Sequence, residues 1–206
     1  MEGQSGLKAV LFDLDETLLK LPINYDELRK KLREYASRLG VECDFRQIIE
    51  GIEEASRRLG EEFRRMCYEL VELYELEAAE KPIVEHDTLQ LLEKLKKMGL
   101  KIGVVSRNSK KCVIASLEKA GLLRYVDVAI GREDTLKTKP NPEPIIHALM
   151  LLGVKVEEAV YVGDHPYDLA AAFAAGVKFI ALGDKIKGYE GPRVRRLEEV
   201  AALISV

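Results

Sequence analysis

Short, continuous apolar runs of strand length most constrain the fold of this chain, because they alternate over most of it with stretches of helical periodicity. A strand that is apolar at every position, rather than at every second one, is typical of a parallel sheet covered on both faces by helices. Strands that alternate with helices predict a Rossmann-like, doubly wound α/β domain with right-handed crossovers. The predicted strands are Ala9–Phe12, Ile102–Val105, Val126–Ile130, Ala159–Val162 and Phe179–Leu182.

One long gap interrupts this alternation after the first predicted strand. From about Leu21 to Lys81 the chain has no strand pattern and instead shows apolar stripes for three or four amphipathic helices. Pro22 and Pro82 bracket the stretch, and prolines are good junction residues. We therefore predict an α/β core of residues 1–20 and 83–206 with a helical insertion of residues 21–82. The alternative is that these helices complete the core of a single domain.

Composition narrows the class of protein. The 206 residues carry a formal net charge of −3, so there is no basic footprint and nucleic acid is not favoured as a partner. No apolar run is long enough to span a bilayer, and the polar start MEGQSG does not resemble a signal peptide. We therefore expect a cytoplasmic protein without a membrane partner. The scattered cysteines Cys43, Cys67 and Cys112 predict buried free thiols rather than disulfides.

Two aspartates follow the first predicted strand. If the chain stays extended there, the side chains of Asp13 and Asp15 point the same way. They lie beyond the carboxyl end of a parallel strand, which is where open α/β sheets bind ligands. Two facing carboxylates repel unless a cation or a shared proton relieves them, and Mg²⁺ prefers such oxygen ligands. The alternative is a turn in which Asp15 caps a neighbouring group.

The second and third predicted strand ends add a hydroxyl and a lysine. Ser106 follows Val105, where it could hold a phosphate oxygen with the backbone N–H groups of a helix start, although a residue here could equally be a helix N-cap. Lys139 precedes a proline-rich helix start, and an ammonium group held there can neutralise charge on a carboxylate and a transferring phosphoryl group. Lys137 is the alternative candidate for this role.

A second acidic pair follows the strand that ends near Val162. Asp164 and Asp168 fall at the opening of a helix that starts at Pro166, where the helix dipole stabilises carboxylates. The alternative is that Asp164 is only an N-cap and Asp168 only an acid of the first turn. Because the carboxyl ends of parallel strands share one edge of a sheet, all of these groups are predicted to meet at one site.

These pieces resemble the haloacid dehalogenase superfamily in its phosphatase branch, with a helical cap like that of phosphoglycolate phosphatase-like proteins. Four segments carry the resemblance in the order that the superfamily uses, and they cover the whole core. They are DLDETL at Asp13–Leu18, VVSRNS at Val104–Ser109, KPNPEP at Lys139–Pro144 and GDHPYD at Gly163–Asp168.

The resemblance implies a role for each candidate residue. Asp13 becomes the nucleophile that forms an aspartyl-phosphate, and Asp15 the acid and base whose backbone carbonyl also binds Mg²⁺. Ser106 holds a phosphate oxygen and Lys139 neutralises charge. The metal site then consists of Asp13, Asp15 and Asp164, with support from Asp168. Two positions depart from the common pattern, Glu16 in place of glycine and Arg107 in place of asparagine, which leaves open whether Arg107 or Asn108 contacts substrate.

The predicted function is therefore Mg²⁺-dependent hydrolysis of a small phosphorylated metabolite, by a monomer or homodimer whose helical cap closes over the site with Pro22 and Pro82 as hinges. Two alternatives remain. A phosphotransferase or sugar-phosphate mutase would use the same aspartyl-phosphate and would isomerise a hexose phosphate without releasing phosphate. A non-catalytic binding module would show no Mg²⁺-dependent turnover across a panel of phosphate esters.

Overall fold

The computed structural model describes residues 6–204, and they form two compact units. One unit comprises the chain up to Leu21 and from Ala79 onward, and the other is Pro22–Ala78. The predicted insertion ran from residue 21 to residue 82, so the structure assigns Leu21 and residues 79–82 of it to the larger unit. Among the described residues, no helix combines the length and the apolar character that crossing a membrane requires.

The larger unit is built on a sheet of parallel strands. Within residues 6–204 the sheet has six strands in the order β3-β2-β1-β4-β5-β6. Each neighbouring pair is parallel, as predicted from the apolar runs. The strands are β1 Ala9–Phe12, β2 Lys101–Val105, β3 Val128–Ile130, β4 Ala159–Gly163, β5 Lys178–Leu182 and β6 Arg193–Val194.

Both faces of this sheet are buried. Leu11 and Tyr161 point into a cluster that also contains residues of two crossover helices, such as Leu149 and Ala172. Val10 and Phe12, at the alternate positions of β1, are fully buried as well. Since strand side chains alternate between faces, burial at successive positions means that helices cover both sides, as doubly wound topology requires.

Four helices of the larger unit, α3 to α6, connect successive strands, and α7 follows β6. Glycine ends two of them, since Gly153 and Gly176 adopt left-handed backbone conformations directly after α5 and α6. Both α5 and α6 follow strands of the sheet and therefore start at its carboxyl edge. These helices are α3 His86–Lys97, α4 Lys110–Lys119, α5 Glu143–Leu152, α6 Pro166–Ala175 and α7 Glu199–Leu203.

The smaller unit consists of helices packed on a core of their own. Its helices are α1 Tyr25–Arg38 and α2 Ile48–Ala79, and α2 is broken at Gly60, which has a φ of 82° and a ψ of −178°. The core includes Leu32, Phe45 and Phe63. The sequence predicts that the apolar stripe of Phe63, Met66, Leu70 and Leu73 faces the core after the break. This is partly wrong, because Met66 and Leu73 are exposed and Cys67, Val71 and Tyr74 are buried instead.

Other local expectations also need correction. The third strand begins at Val128 rather than Val126, because Leu123–Tyr125 form a turn of 3-10 helix that delays it. The strand β6 was not predicted, since it has only two residues and one of them is Arg193. All three cysteines are free, but only Cys67 and Cys112 are buried, whereas Cys43 is half-buried.

Candidate active site

The predicted site residues follow the strands at the carboxyl edge of the sheet. In the register of the sheet, Phe12 lies opposite Val104 on β2 and Val162 on β4. The backbone N–H of Asp13 donates to the carbonyl of Val162 at 3.0 Å, so the ladder continues to the first residue beyond β1. Asp13 is therefore held at the central strand of the sheet, with the ends of β2 and β4 on either side.

Lys139 joins three of the buried groups at this edge. Its Nζ lies 2.5 Å from Oδ1 of Asp13, 2.6 Å from Oδ1 of Asp168 and 2.9 Å from the hydroxyl of Tyr161. Only 3% of the lysine side chain is exposed. Lys137, the alternative in the sequence, is exposed. The structure thus places Lys139, and not Lys137, beside the aspartate that follows β1.

Asp164 lies in the same cluster with different partners. Its Oδ1 accepts a hydrogen bond from the hydroxyl of Thr17 at 3.2 Å, and its Oδ2 lies 2.6 Å from Nζ of Lys185. The helix that follows is capped by His165 and not by Asp164, because Nδ1 of His165 accepts from the N–H of Tyr167. The capping alternative for Asp164 is therefore wrong, and its carboxylate is directed to the site.

Asp15 points elsewhere because the chain turns directly after Asp13. The carbonyl of Leu14 accepts the N–H groups of Thr17, Leu18 and Leu19, which closes a tight turn. Oδ1 of Asp15 accepts the N–H of Leu21 at 2.8 Å. The expectation that Asp13 and Asp15 extend side by side is therefore not met in this conformation, and the carboxylate of Asp15 does not belong to the acidic cluster.

The loop after β2 carries the three candidate substrate-binding residues. Ser106 is buried, and its hydroxyl donates to Oδ1 of Asn108 at 2.9 Å and accepts the N–H of Asn108 at 3.1 Å. The guanidinium of Arg107 lies over the ring of Tyr167 at 4.6 Å. Ser109 is the N-cap of α4, with its side chain accepting from Cys112. The capping role thus belongs to Ser109 and not to Ser106.

Burial dominates the electrostatics of the cluster. Burial raises the pKa of Asp13, and the ammonium of Lys139 opposes that shift. Burial alone would lower the pKa of Lys139, but the carboxylates of Asp13 and Asp168 outweigh it and raise this pKa, so the lysine stays charged. Burial also raises the pKa of Asp164, against the effect of Lys185, and it keeps Tyr161 a neutral hydroxyl by raising its pKa well above the ordinary range.

The donor set fits a divalent cation. Asp13, Asp164 and Asp168 each present a carboxylate oxygen, and these oxygens lie within 4.8 Å of one another. Three buried carboxylates repel one another, and the single buried lysine that touches two of them balances only part of their charge. Hard cations such as Mg²⁺ and Ca²⁺ bind carboxylate oxygens. The cluster is therefore a candidate metal site, and its chemistry does not by itself identify the metal.

Four residues at this edge were not predicted from the sequence. Thr17, Tyr161 and Lys185 contact the acidic residues directly. Gly163 makes room for Asp168, since a Cβ at Gly163 would lie 2.6 Å from the carboxyl group of Asp168. Tyr161 had a detectable signal, because it is a hydroxyl in an otherwise apolar strand. Lys185 had none, as nothing in its local sequence distinguishes it from other surface lysines.

The parallel sheet, its helical crossovers and the acidic cluster at the carboxyl edge are those of a Rossmann-like α/β protein with a candidate metal site. The chain belongs to the haloacid dehalogenase-like hydrolase family, whose sequence profile matches residues 10–182. Both the predicted fold and the predicted superfamily are confirmed, and the chain is a hydrolase of this family.

Individual relatives agree with this classification. The chain is 31% identical over 189 residues to a protein of Caldanaerobacter subterraneus named "Putative pyrophosphatase PpaX". This alignment covers 89% of this chain and 85% of the relative. It is 36% identical over 107 residues to pyrophosphatase PpaX of Bacillus cereus, a match that spans about half of each protein, 52% and 50%. Among solved structures, the HAD phosphatase of Thermococcus onnurineus superposes with a TM-score of 0.68 at 29% identity, covering 96% of this chain and 98% of that one.

Proposed function

We propose that this protein hydrolyses phosphomonoesters of small metabolites, with Mg²⁺ as its cofactor and Asp13 as a covalent nucleophile. The observation that supports this most is the meeting of Asp13, Asp164 and Asp168 within 4.8 Å, with Lys139 bound to two of them. A carboxylate nucleophile splits a difficult hydrolysis into two easier displacements. The same cluster supplies both the nucleophile and the ligands of a cation.

In the first displacement, an oxygen of Asp13 attacks phosphorus while the bond from phosphorus to the leaving oxygen breaks. Asp15 donates a proton to that oxygen, so that an alcohol leaves rather than an alkoxide. In the second displacement, Asp15 takes a proton from water, whose oxygen attacks the aspartyl-phosphate. Inorganic phosphate and free Asp13 result. Asp15 has to exchange its hydrogen bond from Leu21 for these partners.

Charge stabilisation comes from residues around Asp13. Lys139 keeps its positive charge beside Asp13 and thereby offsets negative charge on the phosphoryl group. Ser106, with the backbone N–H groups of the loop after β2, binds a phosphate oxygen. Asp13, Asp164, Asp168 and the carbonyl of Asp15 would hold the cation. When bound, Mg²⁺ supplies further positive charge to the phosphoryl oxygens in the transition state.

The test is release of inorganic phosphate from an alkyl phosphate. We expect turnover with Mg²⁺, loss of turnover in a chelator and recovery when Mg²⁺ is restored. Asp13→Asn should abolish turnover and should also abolish the covalent phosphoenzyme that acid quenching traps from a labelled substrate. Asp184→Asn is the matched control, since it removes the same charge from an exposed aspartate. Full activity of Asp13→Asn would exclude the proposed nucleophile.

Pyrophosphate is a second candidate substrate, because two relatives of this chain are named pyrophosphatases. The reaction at Asp13 would be the same, but the leaving group would be a phosphate rather than an alcohol. Comparing kcat/KM for pyrophosphate with that for phosphoglycolate, sugar phosphates and nucleotides separates the two candidates. A value for pyrophosphate well above all of the phosphomonoesters would make pyrophosphate hydrolysis the function.

Several expectations of the sequence analysis remain predictions. These are the cap role of the helical unit with its hinges at Pro22 and Pro82, substrate contacts of Arg107 or Asn108, the monomeric or dimeric state and the cytoplasmic location. The phosphotransferase alternative uses the same residues, and the hexose phosphate experiment distinguishes it.

A further inference from the structure

Two lysines share the acidic cluster, and they differ in how firmly they are held. Lys139 is 3% exposed and bridges Asp13 and Asp168. Lys185 is 52% exposed, and its Nζ lies 2.6 Å from Oδ2 of Asp164. An ammonium group at the surface can return to water at little cost, whereas a buried one cannot. The ion pair of Lys185 is therefore the exchangeable one.

Asp164 is the carboxylate for which a cation and Lys185 would compete. Its Oδ1 already accepts from Thr17, and its Oδ2 is the oxygen that contacts Lys185. A second carboxylate stands next to this pair, because Oε2 of Glu16 lies 3.8 Å from Nζ of Lys185. Glu16 is itself partly exposed, with 42% of its side chain accessible. A lysine displaced from Asp164 thus has an alternative partner within reach.

We propose that Lys185 competes with the divalent cation for Asp164 and moves toward Glu16 when the cation binds. This inference rests on the cation site of the proposed function and goes beyond it, since it makes Lys185 the residue that sets cation affinity. A bound cation would carry two charges and take oxygen ligands from three aspartates, whereas Lys185 carries one charge and pairs with only one of those aspartates. The cation therefore wins, but its affinity is reduced by the ion pair that it has to break.

The direct test is the affinity of the substrate-free protein for Mg²⁺, measured by isothermal titration calorimetry. Lys185→Gln removes the competing charge and should raise this affinity about three- to tenfold. This range covers the loss of one exposed ion pair together with the loss of the repulsion between the lysine and the cation. Lys185→Arg keeps the charge and should stay near wild type. Glu16→Gln removes the alternative partner, so the affinity should fall below wild type.

The controls separate competition from a general effect of charge. Lys187→Gln removes the same charge from an exposed residue of the same loop and should change the affinity by less than Lys185→Gln. Circular dichroism spectra identical to wild type establish that each variant is folded. If Lys185→Gln weakens Mg²⁺ binding, the lysine positions Asp164 for the metal, and the proposal is wrong. An unchanged affinity also overturns it.

The same titration distinguishes this proposal from the proposed function. If the wild-type protein binds no Mg²⁺, or if Asp13→Asn and Asp164→Asn bind it as well as wild type does, then the cation site itself fails and both proposals fall. If wild type binds Mg²⁺ at these aspartates but Lys185→Gln has wild-type affinity, only the competition fails.

Discussion

The carboxyl group of Asp168 occupies the space beside Gly163 in which any other residue would place its Cβ. A Cβ built at Gly163 would lie 2.6 Å from Cγ and Oδ2 of Asp168, far inside van der Waals contact. The glycine ends β4, and Asp168 lies on the first turn of α6. Because Oδ1 of Asp168 contacts Lys139, the absence of a side chain at Gly163 helps to set the geometry of the whole cluster.

Gly163→Ala should therefore damage both stability and activity. The added methyl group must push Asp168 away from Lys139, which overpacks a closed site at a cost of about 1–3 kcal/mol in the free energy of unfolding. A displacement of about 1 Å at the reacting groups lowers kcat/KM by about a hundredfold. Urea denaturation and phosphate release measure the two effects. Gly6→Ala is the control, because a Cβ there meets nothing within 4 Å. If Gly163→Ala kept wild-type stability and activity, Asp168 could be displaced without harm and this prediction would be wrong.

Asp15→Asn should affect substrates according to their leaving groups. An amide cannot donate the proton that an alkoxide needs, whereas p-nitrophenolate leaves without one. We expect kcat/KM for an alkyl phosphate to fall at least about tenfold more than kcat/KM for p-nitrophenyl phosphate. The ratio kcat/KM is the right measure, because it covers the steps up to release of the leaving group. Equal losses for both substrates would remove the acid role from Asp15.

Glu158→Gln should lower stability in a pH-dependent manner. The carboxylate of Glu158 accepts from Nζ of Lys8 at 2.6 Å and from the N–H of Lys155 at 3.1 Å, and these bonds lower its pKa below the ordinary value of 4.5. The unfolded chain therefore binds the proton more readily. The stabilisation is fully present above about pH 4.5 and is lost as the pH falls through the lowered pKa.

The urea midpoint of Glu158→Gln should accordingly lie below that of wild type at neutral pH, and the gap should narrow as the solution is acidified. Glu157→Gln removes the same charge from the exposed neighbouring residue and should keep a midpoint close to wild type at neutral pH. A gap for Glu158→Gln that stays constant down to strongly acidic pH would mean that the charge of Glu158 contributes nothing.

Gly60→Ala should destabilise the helical unit. The backbone at Gly60 has a φ of 82° and a ψ of −178°, a region in which essentially only glycine is found. Glu53, before the break, accepts hydrogen bonds from Arg64 at 2.8 Å and from Tyr68 at 2.6 Å, so the two parts of α2 are tied together across it. The alanine cannot straighten the helix without breaking these bonds.

The expected cost of Gly60→Ala is about 1–3 kcal/mol in the free energy of unfolding, measured by urea denaturation with circular dichroism. Glu62→Ala changes an exposed residue of the same helix and should shift stability by less than about 0.5 kcal/mol. Greater helicity and stability in Gly60→Ala would indicate that the break is not a requirement of this unit.

The sequence predicted the sheet well because its signal is local. Apolar runs such as Ala9–Phe12 directly indicate a strand that is buried on both faces. Every site residue proposed from the sequence follows a strand or precedes a helix. The boundaries were less predictable. Val126 is apolar but comes before β3. After Gly60, Met66 and Leu73 are as apolar as Cys67 and Val71, and the packing of the helical unit determines which pair is buried.

The details of the site depend on contacts between distant segments. Lys185 lies 21 residues from Asp164, and Tyr161 reaches Lys139 across 22 positions, so no spacing rule could pair them. The direction of Asp15 depends on the turn at Leu14, which gathers three N–H groups on one carbonyl. Sequence patterns located this edge of the sheet and four of the charged residues that meet there, Asp13, Lys139, Asp164 and Asp168, but not Lys185 or the direction of Asp15.

The antiparallel bridge between Lys20 and Ile83 has a consequence for how such a chain can change. Each residue donates its N–H to the carbonyl of the other, at 2.8 Å and 2.9 Å. The polypeptide thus leaves and re-enters the larger unit at adjacent points, and a short hairpin could join them without disturbing the strand order. The helical unit Pro22–Ala78 could therefore be exchanged, shortened or deleted, by evolution or by design, while the strand order of the larger unit stays the same.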